Sequence, residues 1–505
     1  MDKRNSGTYK KQHIDSLNIF LWVCGILTVI KSVFTEYGYD ASYHIALSWR
    51  HINGDRLFKE MWEPHQTSAF ILDFLMWLYR LFVPSMEGVA LFLQICGAVI
   101  FVGVALIAYR ILSPKVGTRM ATIISVIFMA VRPKGMTLLE FSNELMLFSF
   151  LLIISLTELI IDKKNVYCVI SAVLTAIIAL VYPTAILVFI PIFFLLLKTD
   201  KKQAVRYLLI CVGCGICAFL YIGISVGYRQ FTDTILNIMS GDSTHGSESI
   251  WSKFRINGID IPYAFNFLLP LIIIVGTILR KRMSNVEEAI WKTGVCISIS
   301  TFIGVIVLTN VGILPTFGYL VLGAAVSLIP ISKISPKHGS VITLVLCISL
   351  LCVRGLYVMN GYSEMNGRFI ANIENIIRVG PTKGIVAPRT VADEARESIE
   401  DYKNGIKNND SVLVVADWIA DSIVYLYTDA EIANYSTIDT TTYSEKLEEY
   451  WNQYPQKRPT VIAYKSYRGN MVPSDNNFIG KLISNQYESD YVGEQWTFYR
   501  KKDAN

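Results

Sequence analysis

A carboxylate, Asp40, stands in the run EYGYDASYH just past the first long apolar stretch of the chain. A carboxyl group there lies near a membrane surface, and burial under a loop raises its proton affinity towards that of a general base. It belongs to a polar segment, residues 35–70, that also carries Glu36, Tyr39, His44, Arg50, His51, Asp55, Lys59, Glu60, Glu63 and His65. A connection between two helices needs only a handful of residues, and long polar loops on a rigid scaffold are where function concentrates. The plainer reading of Asp40 is an N-cap for a helix over residues 41–52. A second polar set, Arg132, Lys134, Glu140, Asn143 and Glu144, falls in the turn VRPKGMTLLEFSNE between two other apolar stretches. Charges so near hydrocarbon are costly unless paired or used, so at least one of them is expected to function. The bland alternatives are snorkelling for Arg132 and complementation of a helix N-terminus for Glu144. His51, Glu63, His65 and His245 raise a divalent-metal option, but no close pair such as HxxxH supports it, and no cofactor is expected to be required.

The elements that must position these groups are membrane spans. The chain is 52% hydrophobic and 17% charged, where charged residues make up about 25% of a soluble domain; its mean hydropathy is +0.42. Apolar runs close to the spanning length recur from Leu17 to Leu356, which predicts a polytopic α-helical membrane protein with about eleven transmembrane helices. The basic turns at 110–119, 162–165, 198–206, 280–282 and 333–337 then share one side with the basic N-terminus. The positive-inside rule makes that side cytoplasmic. Two long loops, 35–86 and 227–260, and the polar C-terminal region fall on the outer side. The arrangement requires residues 68–83, which carry Asp73 and Arg80 on one helix face, to lie along the interface rather than cross. The net charge of +5 belongs to these turns and is no nucleic-acid signal. The nine cysteines all lie in or beside apolar runs, which implies no disulfide framework.

The boundary falls near residue 358, with the spans in 1–358 and a small extracytoplasmic α/β domain in 359–505. Strands are expected at 411–417 (SVLVVAD), 431–435, 459–463 and 495–500, and helices at 393–408, 418–427 and 443–454. No Gly-rich phosphate loop follows SVLVVAD, and the domain shows no catalytic motif of its own.

The order of an inside-out span, an acid, a helix ending in NGD and a Pro-containing segment feeding an interfacial helix resembles the GT-C superfamily of membrane glycosyltransferases. That group includes the protein O-mannosyltransferases and the lipid A aminoarabinose transferases. Asp40, the stretch HINGDRLFKEMWEPH and the apolar helix from Ser68 carry the resemblance. In those relatives a His-Pro-Pro or Lys-Pro-Pro segment enters the interfacial helix; here it reads Glu63-Pro64-His65-Gln66, with the second proline absent. The resemblance implies a sugar donor on a polyprenyl phosphate, with Asp40 deprotonating an acceptor hydroxyl that attacks the anomeric carbon with inversion. The departing phosphate then needs positive charge nearby, for which Arg132, Lys134, Lys253 and Arg255 are the candidates. Glu140, Asn143 and Glu144 would bind sugar hydroxyls or assist Asp40, and Glu36, Tyr39, Glu63 and His65 would line the same site. The implied partners are the lipid-linked donor, membrane lipids and a cell-envelope glycan, lipid or protein acceptor, and the implied location is a bacterial plasma membrane.

Two other functions compete. A polysaccharide polymerase or ligase also uses outer loops, with a polyprenyl-diphosphate donor, but its loops are typically Arg-rich and the first loop here is mixed in sign. A transporter predicts charges at mid-membrane and broken helices in paired positions, and neither is plain.

Overall fold

The structure is a computed structural model describing residues 15–239, 265–308, 312–335, 338–356, 373–407, 409–416, 419–437, 446–471, 473–474 and 476–502. Its first part is helical. Helix α1 (Ser16–Thr35) starts where the Asp15 carboxylate accepts from the Leu17 N–H at 3.2 Å, the usual satisfaction of an orphan donor at a helix start. Helices α2 (Tyr39–Ile52) and α3 (Phe70–Arg80) occupy the first long loop. Then come α4 (Val89–Val116), α5 (Thr118–Ala130), α6 (Phe141–Asp162), α7 (Asn165–Val181), α8 (Phe189–Thr199), α9 (Lys201–Ser225) and α10 (Tyr228–Met239). Beyond the second loop lie α11 (Leu268–Leu279), α12 (Asn285–Leu308), α13 (Ile313–Ser332) and α14 (His338–Leu356).

Among the described residues, seven of these helices, α1, α4, α6, α9, α12, α13 and α14, are long and apolar enough to cross a membrane. Helices α5, α7, α8 and α11 are apolar but shorter. This is a polytopic helical membrane protein. Burial shows its centre: every residue of α5 from Met120 to Ala130 is buried, whereas α9 buries only Gln203, Ala204 and Tyr207. Helix α3 has 11 residues, about 16 Å at 1.5 Å per residue and half the hydrocarbon thickness. It buries Leu72 and Met76 and exposes Phe70, Phe74 and Trp77.

The C-terminal part is a five-stranded sheet in the order β4-β3-β5-β7-β6, formed by β3 (Ser411–Val415), β4 (Glu431–Ile432), β5 (Val461–Lys465), β6 (Tyr487–Val492) and β7 (Trp496–Lys501), with a separate pair β1 (Asn375–Ile376) and β2 (Val386–Ala387). Strand β3 runs parallel to β4 and β5, while β7 is antiparallel to β5 and β6. All five residues of β3 are buried, as the unbroken apolar run SVLVV requires of a central strand. Helices α15 (Arg389–Gly405), α16 (Lys446–Gln453) and α17 (Phe478–Gln486) cover the sheet. The helix expected at 418–427 is a 3-10 turn, Ile419–Leu426.

The first loop is built into this domain. The Trp62 ring stacks on Tyr435 at 5.6 Å and meets Tyr450 edge-on at 5.2 Å, and the Trp62 backbone N–H donates to the Tyr435 carbonyl at 2.9 Å. At the start of α4 the Gly88 and Ala90 N–H groups donate to the Gly380 and Pro381 carbonyls.

Candidate active site

Asp40 lies in the first turn of α2, behind the extended N-cap Gly38. It is therefore not the cap that its position suggested; its charge is stabilised by the exposed N–H groups of the helix start. Its carboxylate pairs with Lys134 at 2.5 Å, and both side chains remain about a quarter exposed, at 24% and 27%. The two groups come from segments separated by two spans.

Lys134 is presented by a turn over residues 131–140 whose shape is fixed from inside. The buried Arg132 guanidinium donates to the Met136 carbonyl at 2.7 Å and to the carbonyls of Met129 and Gly135. Gln94 on α4 accepts from the Thr137 N–H at 3.0 Å, and the Thr137 hydroxyl donates to the Gln94 carbonyl at 2.8 Å. The turn passes so close to α4 that a Cβ at Gly97 would sit on the Thr137 carbonyl oxygen. Asn143 donates to the carbonyls of Met136 and Leu138 at 3.0 and 2.9 Å. Arg132 and Asn143, expected to meet substrate, instead spend their donors on holding this turn. The reason is local: a turn leaves carbonyls unpaired, and buried carbonyls must find donors.

Glu140 caps α6 by accepting from the N–H groups of Ser142 and Asn143, both at 2.8 Å. Burial first, and the negative charge of Asp40 second, push its carboxyl up to about 8, against the pull of Lys134 and the two N–H donors. One turn along α6, Glu144 is 1% exposed, and neither of its carboxyl oxygens has a hydrogen-bond partner. The His65 ring stacks on Phe141 at 4.2 Å and lies 4.8 Å from Tyr182, which brings it to the wall of the same site. His65 holds a left-handed conformation, φ 56°, that redirects the chain into α3.

Other expected members go elsewhere. Glu63 is buried against the C-terminal domain, where it pairs with Arg50 at 3.3 Å and accepts from the Ser436 hydroxyl at 2.8 Å and the Thr437 N–H at 2.7 Å. Glu36 is buried beside α1 in an ion pair with Lys31, whose ammonium also donates to the Arg354 carbonyl at 2.7 Å. Tyr39 opens α2. Arg255, with Lys253 and His245, lies outside the described residues. The metal candidates are not gathered: His51 pairs with Asp73 at 2.5 Å, and among the described residues no group of three His, Cys, Asp or Glu side chains could hold a metal ion.

Sequence reasoning missed several neighbours. Tyr319 shares a hydrogen bond of 2.6 Å with the Ser142 hydroxyl, and Tyr182 packs 6.2 Å from its ring. Both lie within electrostatic reach of Asp40 and Lys134. Burial drives the His44 imidazole down to about 3, against the opposing charge of Asp40, so it is a neutral partner for the Ser68 hydroxyl at 2.8 Å. The only signal for the tyrosines was a polar tip inside an apolar run, which buried tyrosines share generally.

The assembled site offers a partly solvated carboxylate, one cation beside it, two buried carboxyl groups and an aromatic wall. That set suits proton abstraction next to a developing negative charge.

No protein-family model matches the chain, and no curated protein sequence matches it. Among solved structures it is similar to ArnT from Cupriavidus metallidurans in the apo state, with a TM-score of 0.56 and 9% identity, covering 96% of this chain and 97% of that one. It is also similar to the same organism's ArnT bound to undecaprenyl phosphate, with a TM-score of 0.51 and 10% identity over 97% and 98% of the two chains. Over nearly its whole length the chain shares the fold of these two ArnT structures.

Proposed function

We propose that this protein is a membrane glycosyltransferase that moves a sugar from a polyprenyl-phosphate donor to a cell-envelope acceptor on the outer face of the membrane, with inversion. The observation that carries this reading is the Asp40–Lys134 pair: a carboxylate and an ammonium from two separate segments, 2.5 Å apart and partly open to solvent. Asp40 accepts the proton of an acceptor hydroxyl, whose oxygen then forms a bond to the anomeric carbon. The bond from that carbon to the donor phosphate oxygen breaks with its electron pair, and the phosphate leaves as a monoester. Lys134 exchanges Asp40 for that phosphate, which frees the carboxylate as a base and offsets the charge that develops. The ArnT structure with undecaprenyl phosphate supports a polyprenyl-linked donor. The C-terminal region, residues 359–505, binds or orients the acceptor, since its sequence shows no catalytic motif of its own and it clasps the first loop.

The test is transfer of labelled sugar from polyprenyl-phosphate sugars to envelope extracts by the purified protein in detergent. Transfer from at least one monophosphate donor is expected. Transfer from diphosphate-linked glycans alone would replace this reading with a polymerase or ligase. Sidedness is tested by labelling a Ser411→Cys variant on intact cells, where labelling without permeabilisation is expected.

A further inference from the structure

A closed circuit of buried hydrogen bonds joins the segment that carries Asp40 to the turn that carries Lys134. It starts at Glu36, the residue that caps the end of α1, four positions before Asp40. The Glu36 carboxylate pairs with Lys31 on α1, and the Lys31 ammonium donates to the Arg354 carbonyl in the last turn of α14 at 2.7 Å. The Arg354 guanidinium donates in its turn to the Arg132 carbonyl at 2.7 Å, and the Arg132 side chain holds the Lys134 turn from inside. Three positions past Lys134, the Thr137 N–H donates to the Gln94 side-chain oxygen at 3.0 Å. The Gln94 amide nitrogen closes the circuit by donating to the Glu36 carbonyl at 2.8 Å. Glu36, Gln94 and Thr137 are fully buried, and Arg132 and Arg354 nearly so.

We propose that Gln94 and Arg354 are positioning residues, which hold the two segments so that the Lys134 ammonium stands at pairing distance, 2.5 Å, from Asp40. The catalytic consequence rests on the glycosyltransferase reading. In that reading Lys134 exchanges Asp40 for the donor phosphate, so the ion pair is broken in every turnover and cannot itself keep the two segments in place. The circuit passes through neither side chain of the pair and stays closed during the exchange. Gln94 suits its part because one planar amide carries both a donor and an acceptor, and here each end meets a different segment. Arg354 gives the circuit a side-chain donor and a backbone acceptor, which fixes the end of the last span against the same turn. The bonds are buried, so a lost partner leaves a polar group unpaired rather than rehydrated, and the segments shift to relieve it.

The experiment uses the full-length protein in detergent and the variants Gln94→Met and Arg354→Met, each of which opens the circuit at one point and leaves Asp40 and Lys134 present. The kcat for transfer from a polyprenyl-phosphate sugar is expected to fall about tenfold or more in each, as misplaced reacting groups do. Combined with Lys134→Met, either variant is expected to lower kcat by less than about a further threefold, because no ammonium is left to place. A role in stability alone would lower kcat by the same factor with and without Lys134, and that result, or a wild-type kcat in both variants, would overturn the proposal. A second readout needs no activity. Asp40→Cys and Lys134→Cys are combined in one chain and joined by a short thiol-reactive cross-linker, with the linked peptides identified by mass. Adding Gln94→Met or Arg354→Met is expected to reduce that linkage several-fold; unchanged linkage would overturn the proposal. If the wild type transfers no sugar, the glycosyltransferase reading fails by itself and the linkage decides the positioning. Where Gln94→Met does not fold, Arg354→Met carries both measurements.

Discussion

Helix α2 carries charge at both ends, and the two ends are built on opposite plans. At its C-terminal turn the buried Arg50 guanidinium meets Asp55 at 2.5 Å, Glu63 at 3.3 Å, the Asn434 carbonyl at 2.6 Å, the Tyr450 hydroxyl at 3.0 Å and the Glu60 carbonyl. Lys457 adds a second cation at 2.5 Å from Asp55. Each charge there has an opposite charge, and a cation at a helix C-terminus also suits the dipole. At the N-terminal end, about 15 Å away along the helix, Asp40 and Glu140 face Lys134, and Glu144 lies one turn beyond Glu140 on α6. Acids outnumber the paired cation, and the Glu144 oxygens have no partner. The balanced end joins two parts of the molecule; the unbalanced end is arranged for a ligand that brings its own donors and its own charge.

If the contrast is right, changes at the open end alter rate and changes at the closed end alter stability. Asp40→Asn keeps size and hydrogen bonding but cannot take a proton, so transfer should fall about 10²–10⁴-fold with donor binding and thermal stability close to wild type. Activity within a few-fold of wild type would remove Asp40 as base. Arg50→Met leaves buried Glu63 without its opposite charge, a change that costs about 3–5 kcal/mol in buried pairs. Thermal unfolding and protease sensitivity of the C-terminal domain should show it, and a stable variant with lost activity would reverse the assignment. Gly97→Ala should press on the Thr137 carbonyl and displace Lys134, costing about 1–3 kcal/mol as overpacking does together with donor-phosphate affinity.

Two smaller effects concern pH. Burial holds the Glu140 carboxyl at about 8 in the folded protein against an ordinary 4.5. The folded state therefore binds the extra proton between those values, and stability should decline as pH rises from about 4.5 to about 8. Glu140→Gln should flatten that part of the pH–stability curve; an unaltered slope would count against it. The hydrogen bond from Asp73 raises the His51 imidazole above its ordinary 6.5. Its stabilisation is complete below 6.5 and is lost as pH rises through the raised value. With the ring 29% exposed, His51→Gln should cost less than about 1 kcal/mol, measured as the difference in melting temperature between pH 5.5 and 8.5.

The sequence singled out Asp40 as a candidate because residue type and place both spoke: an acid directly after an apolar span, which the fold sets beside Lys134. It disclosed most of the helices through hydropathy and β3 through its apolar run. Arg132 and Asn143 misled because their partners are carbonyls a few residues away, exposed only by a turn whose conformation no residue type announces. Glu63 misled for the opposite reason: its partners Ser436 and Thr437 lie more than 370 positions away, and only the folded chain brings them together. Helix α17 and strand β6 went unread because β6 is a mostly exposed edge strand, YESDYV, without the alternation that marks a half-buried strand.

The aromatic stripe of α3 has a kinetic meaning. With Phe70, Phe74 and Trp77 exposed and Asp73 paired with His51 on the protein side, the helix suits the boundary between hydrocarbon and water, a place aromatic side chains favour. A substrate that reaches the site past such a helix arrives by diffusion in two dimensions. Its effective concentration is then a mole fraction in the lipid, so apparent affinity measured in micelles should follow the detergent-to-lipid ratio rather than the volume of the assay.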